Sequence, residues 1–351
     1  MTYILKGFSI IICCYNSADI LPLTLKYLAA LYSHTGWPVE IILVDNCCTD
    51  DTVAVACETW KKFNEPFEFH VVEEKTPGLS AARVRGIETA RYDYLVFCDD
   101  DNFLNEDYLV VASEILEKHP QIGALGGYAS AMLEWQPAYW PGDFYIYGCG
   151  PQAEKNGKTR TLHGAGIIIN KAVFIKLKHA QFRFILSDRK GAKLTSGGDY
   201  EFCYAIALAG YDVWYEDSLI FSHYIHAERV TPEYCKRFIN ESAPALDVIL
   251  VYEHLIYNDN KGIGAFYLQR FKELLFHGWK IINSCRIRFR YRHDVQIRFL
   301  EDFHITFHFV RIKLILKNVF RYPKIFRNVR MLQQRLWSLD NKEMKKIDAS
   351  I

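Results

Sequence analysis

The 351 residues are half hydrophobic, about a quarter charged, and carry a formal net charge of +1. This composition is globular and excludes a disordered chain, and the length suffices for one large domain with an appendage or for two domains. The overall charge says nothing about partners, but from 271 to 335 Lys and Arg outnumber Asp and Glu by roughly four to one, the asymmetry of a segment that meets an anionic surface.

Most of the ten cysteines sit in apolar runs, where a thiol acts as a small hydrophobe, and no CxxC pair has metal-ligand spacing. A reduced, cytoplasmic chain is expected. The opening MTYILKGFSIIICCYN is short, β-branched and ends in a turn, so it reads as a strand rather than a signal peptide. With no uninterrupted apolar run of about 18 residues, no transmembrane helix is expected.

The first half alternates strands and helices. Phe8 to Cys14 reads as a strand and Asp19 to Tyr32 as a helix, with Leu21, Leu25, Leu28 and Leu31 on one face. Val39 to Asp45 reads as a strand and Asp50 to Phe63 as a helix, capped by Thr49 or Asp50. Phe67 to Glu73 is a third strand, Ser80 to Thr89 a helix and Tyr94 to Cys98 a fourth strand. Apolar strands between helices predict a mostly parallel sheet covered on both faces, which binds ligands at the carboxyl ends of its strands. The Gly-, Trp- and Tyr-rich stretch from Gly123 to Asn170 reads as strands and loops. Asp199 to Ala209 is a helix, Val213 to Tyr215 a short strand, and after Pro232 the pattern is mainly helical. The expected division is 1–230 as a nucleotide-binding, catalytic α/β domain and 231–351 as a helical, basic region.

Two strands end in acids. IILVDNCCTDDT puts Asp45 at the end of one, and YLVFCDDDN puts Asp99, Asp100 and Asp101 at the end of another. Three adjacent carboxylates repel one another and are costly to bury unless a cation or solvent compensates them. Such oxygen-rich sites suit Mg²⁺ or Mn²⁺, which bridge one or two carboxylates to substrate phosphates. The alternative is a solvated acidic turn with Asn102 as a helix N-cap.

SIIICCYN, LVDNCCTDDT, PGLSAARVRGI, FCDDDN and GGDYEFCYAIALAGY occur in the order and spacing of family 2 glycosyltransferases, and over roughly 8–230 the chain resembles these inverting enzymes. The resemblance implies a GT-A fold, an α/β Rossmann-like sheet flanked by helices, and transfer of a sugar from a nucleotide-sugar donor, UDP-linked, to a hydroxyl of a glycan or lipid-linked acceptor. It implies that Cys14, Tyr15 and Asn16 wrap the nucleobase, that Asp45 bonds the base, and that Arg83 approaches base or phosphates. Val84 stands where the family usually has Asn. The acid triplet resembles the DXD motif, with Asp99 and Asp100 holding ribose or metal and Asp101 the most direct metal ligand.

An inverting transfer needs a base across the site from that motif. Ser196-Gly197-Gly198-Asp199-Tyr200-Glu201 resembles the family's GEDxE motif, with Gly198 in place of Glu, and implies Asp199 as base with Glu201 as second choice. By itself Asp199 is equally an N-cap. In SLIFSHYIHAER, His223 corresponds to a histidine that faces metal or diphosphate, His226 is a weaker candidate, and Arg229 could meet phosphate. LHGAGIIINK resembles the acceptor-side loop, where His163 and Gly164 to Gly166 would let backbone approach the sugar; a tight turn before a strand is the plain alternative. Trp135, Tyr139, Trp140, Phe144 and Tyr145 read either as an acceptor lid or as a packed hydrophobic loop.

CRIRFRYRHDVQIRF and FHFVRIKLILKNVFRYPKIFRNVRML mix basic with apolar residues. Ile287, Phe289 and Tyr291 alternate as in a strand, while longer spacings suit amphipathic helices lying on anionic lipid. A solvated basic face is the alternative; nucleic acid is not expected as a partner, since no recognition motif accompanies the charge. The expected location is cytoplasmic, peripheral on the inner face of the cytoplasmic membrane. A nucleotidyltransferase would show a Gly-rich phosphate loop after the first strand, where CCYNSAD stands. A silent carbohydrate- or membrane-binding relative would have lost the acids. A processive synthase would bring transmembrane helices and a QxxRW segment.

Overall fold

A computed structural model describes residues 5–31, 36–136, 144–186, 194–258 and 261–348. The alternating half of the sequence forms β1 (Leu5–Cys14), α1 (Leu21–Ala29), β2 (Val39–Asp45), α2 (Thr52–Lys62), β3 (Glu68–Glu73), α3 (Leu79–Thr89) and β4 (Tyr92–Phe97). There follow β5 (Asn102–Leu104), α4 (Tyr108–Lys118), β6 (Ile122–Leu133), β7 (Gly157–Lys158), β8 (Ile168–Asn170), α5 (Lys171–His179), α6 (Gly198–Leu208) and β9 (Asp212–Ile225). The remainder is α7 (Pro232–Ser242), α8 (Ala245–Tyr257), α9 (Gly262–Arg290), α10 (Val295–Asn318) and α11 (Tyr322–Asp348).

One sheet runs β3-β2-β1-β4-β8-β6-β9-β5, with β7 added on β9. Strands β1 to β4 pair in parallel, as the apolar runs predict. Beyond β4 the sheet is mixed: β8 is antiparallel to β4 and β6, while β6 and β9 are parallel. Both faces of the central strands are buried, because Ile10 to Ile12 of β1, Ile41 to Val44 of β2 and Leu95 to Phe97 of β4 are unbroken apolar runs. Along β1, Ile11 enters one core and Ile10 and Ile12 enter the other, as a period of two demands. The second core is closed by Leu25 of α1, Trp60 of α2 and Leu109 of α4.

The first core crosses position 230 without a break. It passes from Phe97 through Tyr204 of α6 to Tyr252 of α8 and then to Tyr322 and Val329 of α11. A buried ion pair ties these helices: Arg311 Nη1 of α10 lies 3.2 Å from Asp247 Oδ1 of α8, and Asn318 and the Tyr322 hydroxyl donate to the same carboxylate.

Four local expectations change. Helix α2 starts at Thr52, and Asp51 is its cap residue; Asp50 instead accepts the Thr52 N–H from outside the helix, and Thr49 is taken up by Asn16. Asn102 opens a strand rather than a helix, because it is fully buried and pairs with His223 across β5 and β9. The short strand at Val213 extends to Ile225, which puts His223 within it. The alternating Ile287, Phe289 and Tyr291 lie on the last turn of α9 and its cap, where longer-range helical spacing prevails.

Candidate active site

Strands β1, β2 and β4 end side by side, and the loops beyond them open into a cavity of about 940 Å³. Its wall carries Cys14, Tyr15, Arg83, Asp99, Asp100, Asp101, Asp199, His223 and Arg229. These nine sequence-predicted residues, scattered over more than 200 positions, thus share one surface.

At the first pole, Cys14 is buried and Tyr15 stands exposed on the rim. Asn16 has φ 55°, a left-handed conformation that Asn tolerates, and its side chain accepts the Thr49 N–H at 2.7 Å. This fixes the β1 loop against the β2 loop. Burial pushes the Cys13 thiol up to about 12, so it adds no charge beside the acids.

Asp45 is placed at the end of β2 in register with Cys14, but it does not line the cavity; its Oδ1 accepts the Cys48 N–H at 2.9 Å and shapes the turn. The next residue, which sequence reasoning passed over, forms the wall instead. Asn46 Nδ2 donates to the Glu74 and Thr76 carbonyls, and its Oδ1 accepts the Gly78 N–H, at 2.8 to 3.1 Å. Buried Asn46 thus rivets the β2 turn to the Pro77-Gly78 loop that launches α3.

The acid triplet is differentiated by its neighbours. Asp99, the most open, faces Arg83 Nη2 at 3.9 Å, and that guanidinium also rests over the Phe97 ring. Asp100 is turned inward: its carboxylate accepts from the Ser17 hydroxyl and its carbonyl from Thr24. Burial, together with the charges of Asp101 and Asp99, pushes the Asp100 carboxyl up to about 7. No motif spacing foretold Ser17 or Thr24; they meet Asp100 only because α1 packs beneath the β4 turn. Asp101 accepts from Asn102 through Oδ1 at 3.0 Å, while Oδ2 lies 3.3 Å from Arg229 Nη1 and 3.4 Å from His223 Nε2. Burial pulls the His223 imidazole down, but Asp101 and the Cys149 thiol together outweigh it and the net position is about 10.

On the same cavity wall, Asp199 sits in the first turn of α6. Its Oδ2 accepts the Gly164 N–H at 2.8 Å and its Oδ1 the Tyr200 N–H at 2.9 Å, which orients the carboxylate. Gly164 leaves room for its neighbours: a Cβ there would stand 2.9 Å from Arg83 Nη2 and 3.3 Å from the Asp199 Cβ and would displace the guanidinium. Arg83 and Asp199 therefore both flank Gly164. His163 is nearly buried and its Nδ1 lies 3.0 Å from the Tyr200 hydroxyl; burial and the His223 charge pull it down to about 4, so it is neutral.

Glu201 does not join this site. It is fully buried, its oxygens accept the Ile185 and Leu186 N–H groups and the Tyr252 hydroxyl, and it is absent from the cavity wall. Three donors from elsewhere in the fold hold it as an anchor, which corrects its expected place beside Asp199. His226 lies outside too, with Nδ1 3.8 Å from Glu134 at the rim. Trp135 is exposed, whereas Tyr139 and Trp140 fall outside the described residues; Phe144 and Tyr145 belong to a single helical turn, Phe144–Tyr147.

Among the described residues no three His, Cys, Asp or Glu side chains converge as a complete metal cage. The donor set nonetheless fits a divalent ion that brings its own phosphate ligands. Adjacent ligands on an octahedral ion at about 2.1 Å stand about 3 Å apart, close to the separation of Asp101 Oδ2 and His223 Nε2. The far wall is apolar, formed by Phe238 and Ile239 of α7, Leu246 and Ile249 of α8, and Phe303 and Phe307 of α10.

The chain is similar to known proteins in sequence and in fold. The model of glycosyl transferase family 2 matches residues 9–178. A poly-beta-1,6-N-acetyl-D-glucosamine synthase of Staphylococcus epidermidis is 31% identical over 123 residues, which is 35% of this chain and 28% of that protein. The corresponding synthase of Staphylococcus aureus strain MSSA476 is 29% identical over the same shares. The chain thus spans less than a third of the length of these curated relatives in the matched region. Among solved structures, a mannosyltransferase of Pyrobaculum calidifontis, in complex with GDP-Man and Mn²⁺, matches 91% of this chain and 88% of its own with a TM-score of 0.54 at 16% identity, a likeness of fold. Residues 9–178 thus match the glycosyl transferase family 2 model, and the chain shares the GT-A-type fold of that mannosyltransferase.

Proposed function

We propose that the protein is an inverting transferase that moves a sugar from a UDP-linked donor to a hydroxyl of a glycan or lipid-linked acceptor, with Asp199 as general base. The observation that carries this reading is that Asp199 lines the same cavity as the Asp99–Asp101 edge, with Arg83 3.9 Å from Asp99 and also beside Gly164, whose N–H Asp199 accepts. In a direct displacement the acceptor oxygen attacks the anomeric carbon as the nucleoside diphosphate departs from the other face. Asp199 takes the hydroxyl proton, so the base and the diphosphate end of the site must lie on opposite sides of the sugar.

The remaining residues divide the other tasks. Tyr15, Cys14 and the Asn46–Cys47 turn form the nucleobase pole, Asn16 and Asp45 shape it from behind, and Arg83 and Arg229 supply positive charge along the diphosphate. Asp101, Asp99 and, with its proton displaced by the ion, His223 would hold Mn²⁺ or Mg²⁺, which would neutralise charge on the departing diphosphate. The apolar wall of α7, α8 and α10 suits an acceptor with an apolar portion. Gly197, at φ 107°, brings that wall against the base: its Cβ position stands 2.6 Å from the Ala245 Cβ.

Thermal shift against UDP-, GDP- and dTDP-sugars, with and without Mn²⁺, tests the donor reading. A ligand at 100 times its Kd stabilises the folded protein by about 2.7 kcal/mol, enough to move Tm by several degrees. A Mn²⁺-dependent rise with the uridine series alone is the expected result. A rise with guanosine or thymidine sugars instead would replace the base assignment, and no rise with any would remove the donor site.

A further inference from the structure

Helix α9 leaves most of one face uncovered. Leu268, Phe271, Leu275, Trp279, Ile282 and Phe289 are all exposed, from 55% for Ile282 to 73% for Phe289. At 100° per residue these six fall within an arc of about 80°, and from Leu268 to Phe289 the stripe is about 32 Å long. Soluble surfaces scatter such side chains singly; a continuous apolar stripe on a solvent-facing helix marks a contact surface.

The charge around the stripe selects the partner. Lys272, Arg286 and Arg290 fall on or beside the same arc, and from 268 to 320 the chain carries eleven Lys and Arg against four Asp and Glu. Three of those acids are already paired, Glu273 with Arg270, Asp302 with Arg288 at 2.6 Å, and buried Glu301 near His304. An apolar stripe edged by cations matches a bilayer interface, where side chains enter the acyl boundary and Lys and Arg meet anionic headgroups. No helix among the described residues is long and apolar enough to cross a membrane, so the contact lies in the interface plane. The helix is firmly backed: its buried side packs on α10, with His277 and His308 Nδ1 atoms 2.8 Å apart and the Tyr267 hydroxyl on the Val319 carbonyl.

We infer that the exposed face of α9 is a docking surface for an anionic lipid bilayer. Because α10, which carries α9, also contributes Phe303 and Phe307 to the cavity wall, docking would bring the acceptor side of the cavity close to the lipid surface. The inference does not rest on the catalytic reading and is tested without turnover.

The full chain is sedimented with vesicles of phosphatidylcholine containing phosphatidylglycerol and with phosphatidylcholine alone. The wild type is expected to pellet with the anionic vesicles only, and to be released by high salt. Two triple variants, F271S/L275S/W279S and K272E/R286E/R290E, are expected to lose at least about tenfold in vesicle affinity. Their circular dichroism and their thermal shift with UDP and Mn²⁺ should match the wild type, since none of these side chains lines the cavity. Wild-type protein that stays in the supernatant with both vesicles overturns the inference, as do variants that pellet unchanged. Light scattering that shows a dimer, made monomeric by the apolar triple variant without any vesicle binding, overturns it in favour of a second copy of this chain.

Discussion

Arg229 Nη1 stands 3.3 Å from Asp101 Oδ2, across 128 positions of chain, and both side chains are largely withdrawn from solvent. The contact shows how the fold tolerates three consecutive carboxylates. Asp101 leans on Arg229 and His223, Asp99 faces Arg83, and Asp100, held by Ser17, is pushed towards neutrality. The acid edge is compensated before any ligand arrives, and its cations are also the groups a diphosphate would meet.

Asp101→Asn tests that arrangement. It keeps the side-chain volume but removes the charge opposite Arg229 and His223. The part of the UDP-induced Tm rise that depends on Mn²⁺ should vanish, and the unliganded protein should itself melt lower, because breaking a buried pair leaves a cation uncompensated. An unchanged Mn²⁺-dependent rise would move the metal assignment from Asp101 to Asp99.

His163 predicts a pH dependence of stability. The native protein holds it neutral down to about 4, whereas an unfolded chain protonates it below 6.5. Its contribution is therefore neutral above 6.5, and stability is lost progressively as pH falls from 6.5 to 4, by about 3 kcal/mol in all. Urea midpoints measured at pH 7 and pH 4.5 should fall more in the wild type than in His163→Gln. Equal losses in the two proteins would show that another group titrates in that window.

How far the site was legible depends on whether chemistry left a local trace. An apolar run that stops at an acid marks a strand end, so Asp45 and Asp99 to Asp101 could be placed from the sequence alone. What each acid bonds to could not. Asp45 and Asn46 are neighbours, yet the turn at Cys47, with φ 65°, puts Asn46 and Cys47 on the cavity wall and Asp45 behind it. Asp199 and Glu201 share one helical turn, but two positions on a helix point about 200° apart, so only one of them can face the site. The fold was legible where period two meets apolar burial, in β1 to β4. It was obscured in β9, whose polar His223 and Ser222 interrupt the apolar pattern because they face the site and the β5 edge.

The core of the helical region rests on a pair that no periodicity announces. Asp247 and Arg311 are each 2% exposed as side chains, and Asp247 also takes Asn318 and Tyr322. Asp247→Ala would leave the Arg311 guanidinium buried with the Ala243 carbonyl as its remaining acceptor among these contacts. The expected cost is about 3–5 kcal/mol, read as a lower urea midpoint. A double change to Asp247→Leu and Arg311→Met should recover most of it, since an apolar pair of similar volume removes the unpaired charge. A double variant as unstable as the single one would show that Asn318 and Tyr322 carry the interaction.

Asp199→Asn separates binding from chemistry. The amide keeps an acceptor oxygen for the Gly164 N–H, and the contacts between Arg83, Gly164 and residue 199 keep their shape. Donor affinity, read as the Mn²⁺-dependent thermal shift with a UDP-sugar, should stay within a factor of a few. Transfer should fall by about 10²–10⁴, the usual worth of a positioned general base. The split matters more than the size of the loss: a base deletion lowers kcat and leaves donor binding intact, whereas a collapsed site loses both. Near-normal turnover would release Asp199 from the base role. Glu201 could not inherit it, since its carboxylate is already spent on Ile185, Leu186 and Tyr252. The proton would then have to leave through a group the acceptor itself brings or through water at the open side of the cavity, and the rate would report that by losing its dependence on residue 199.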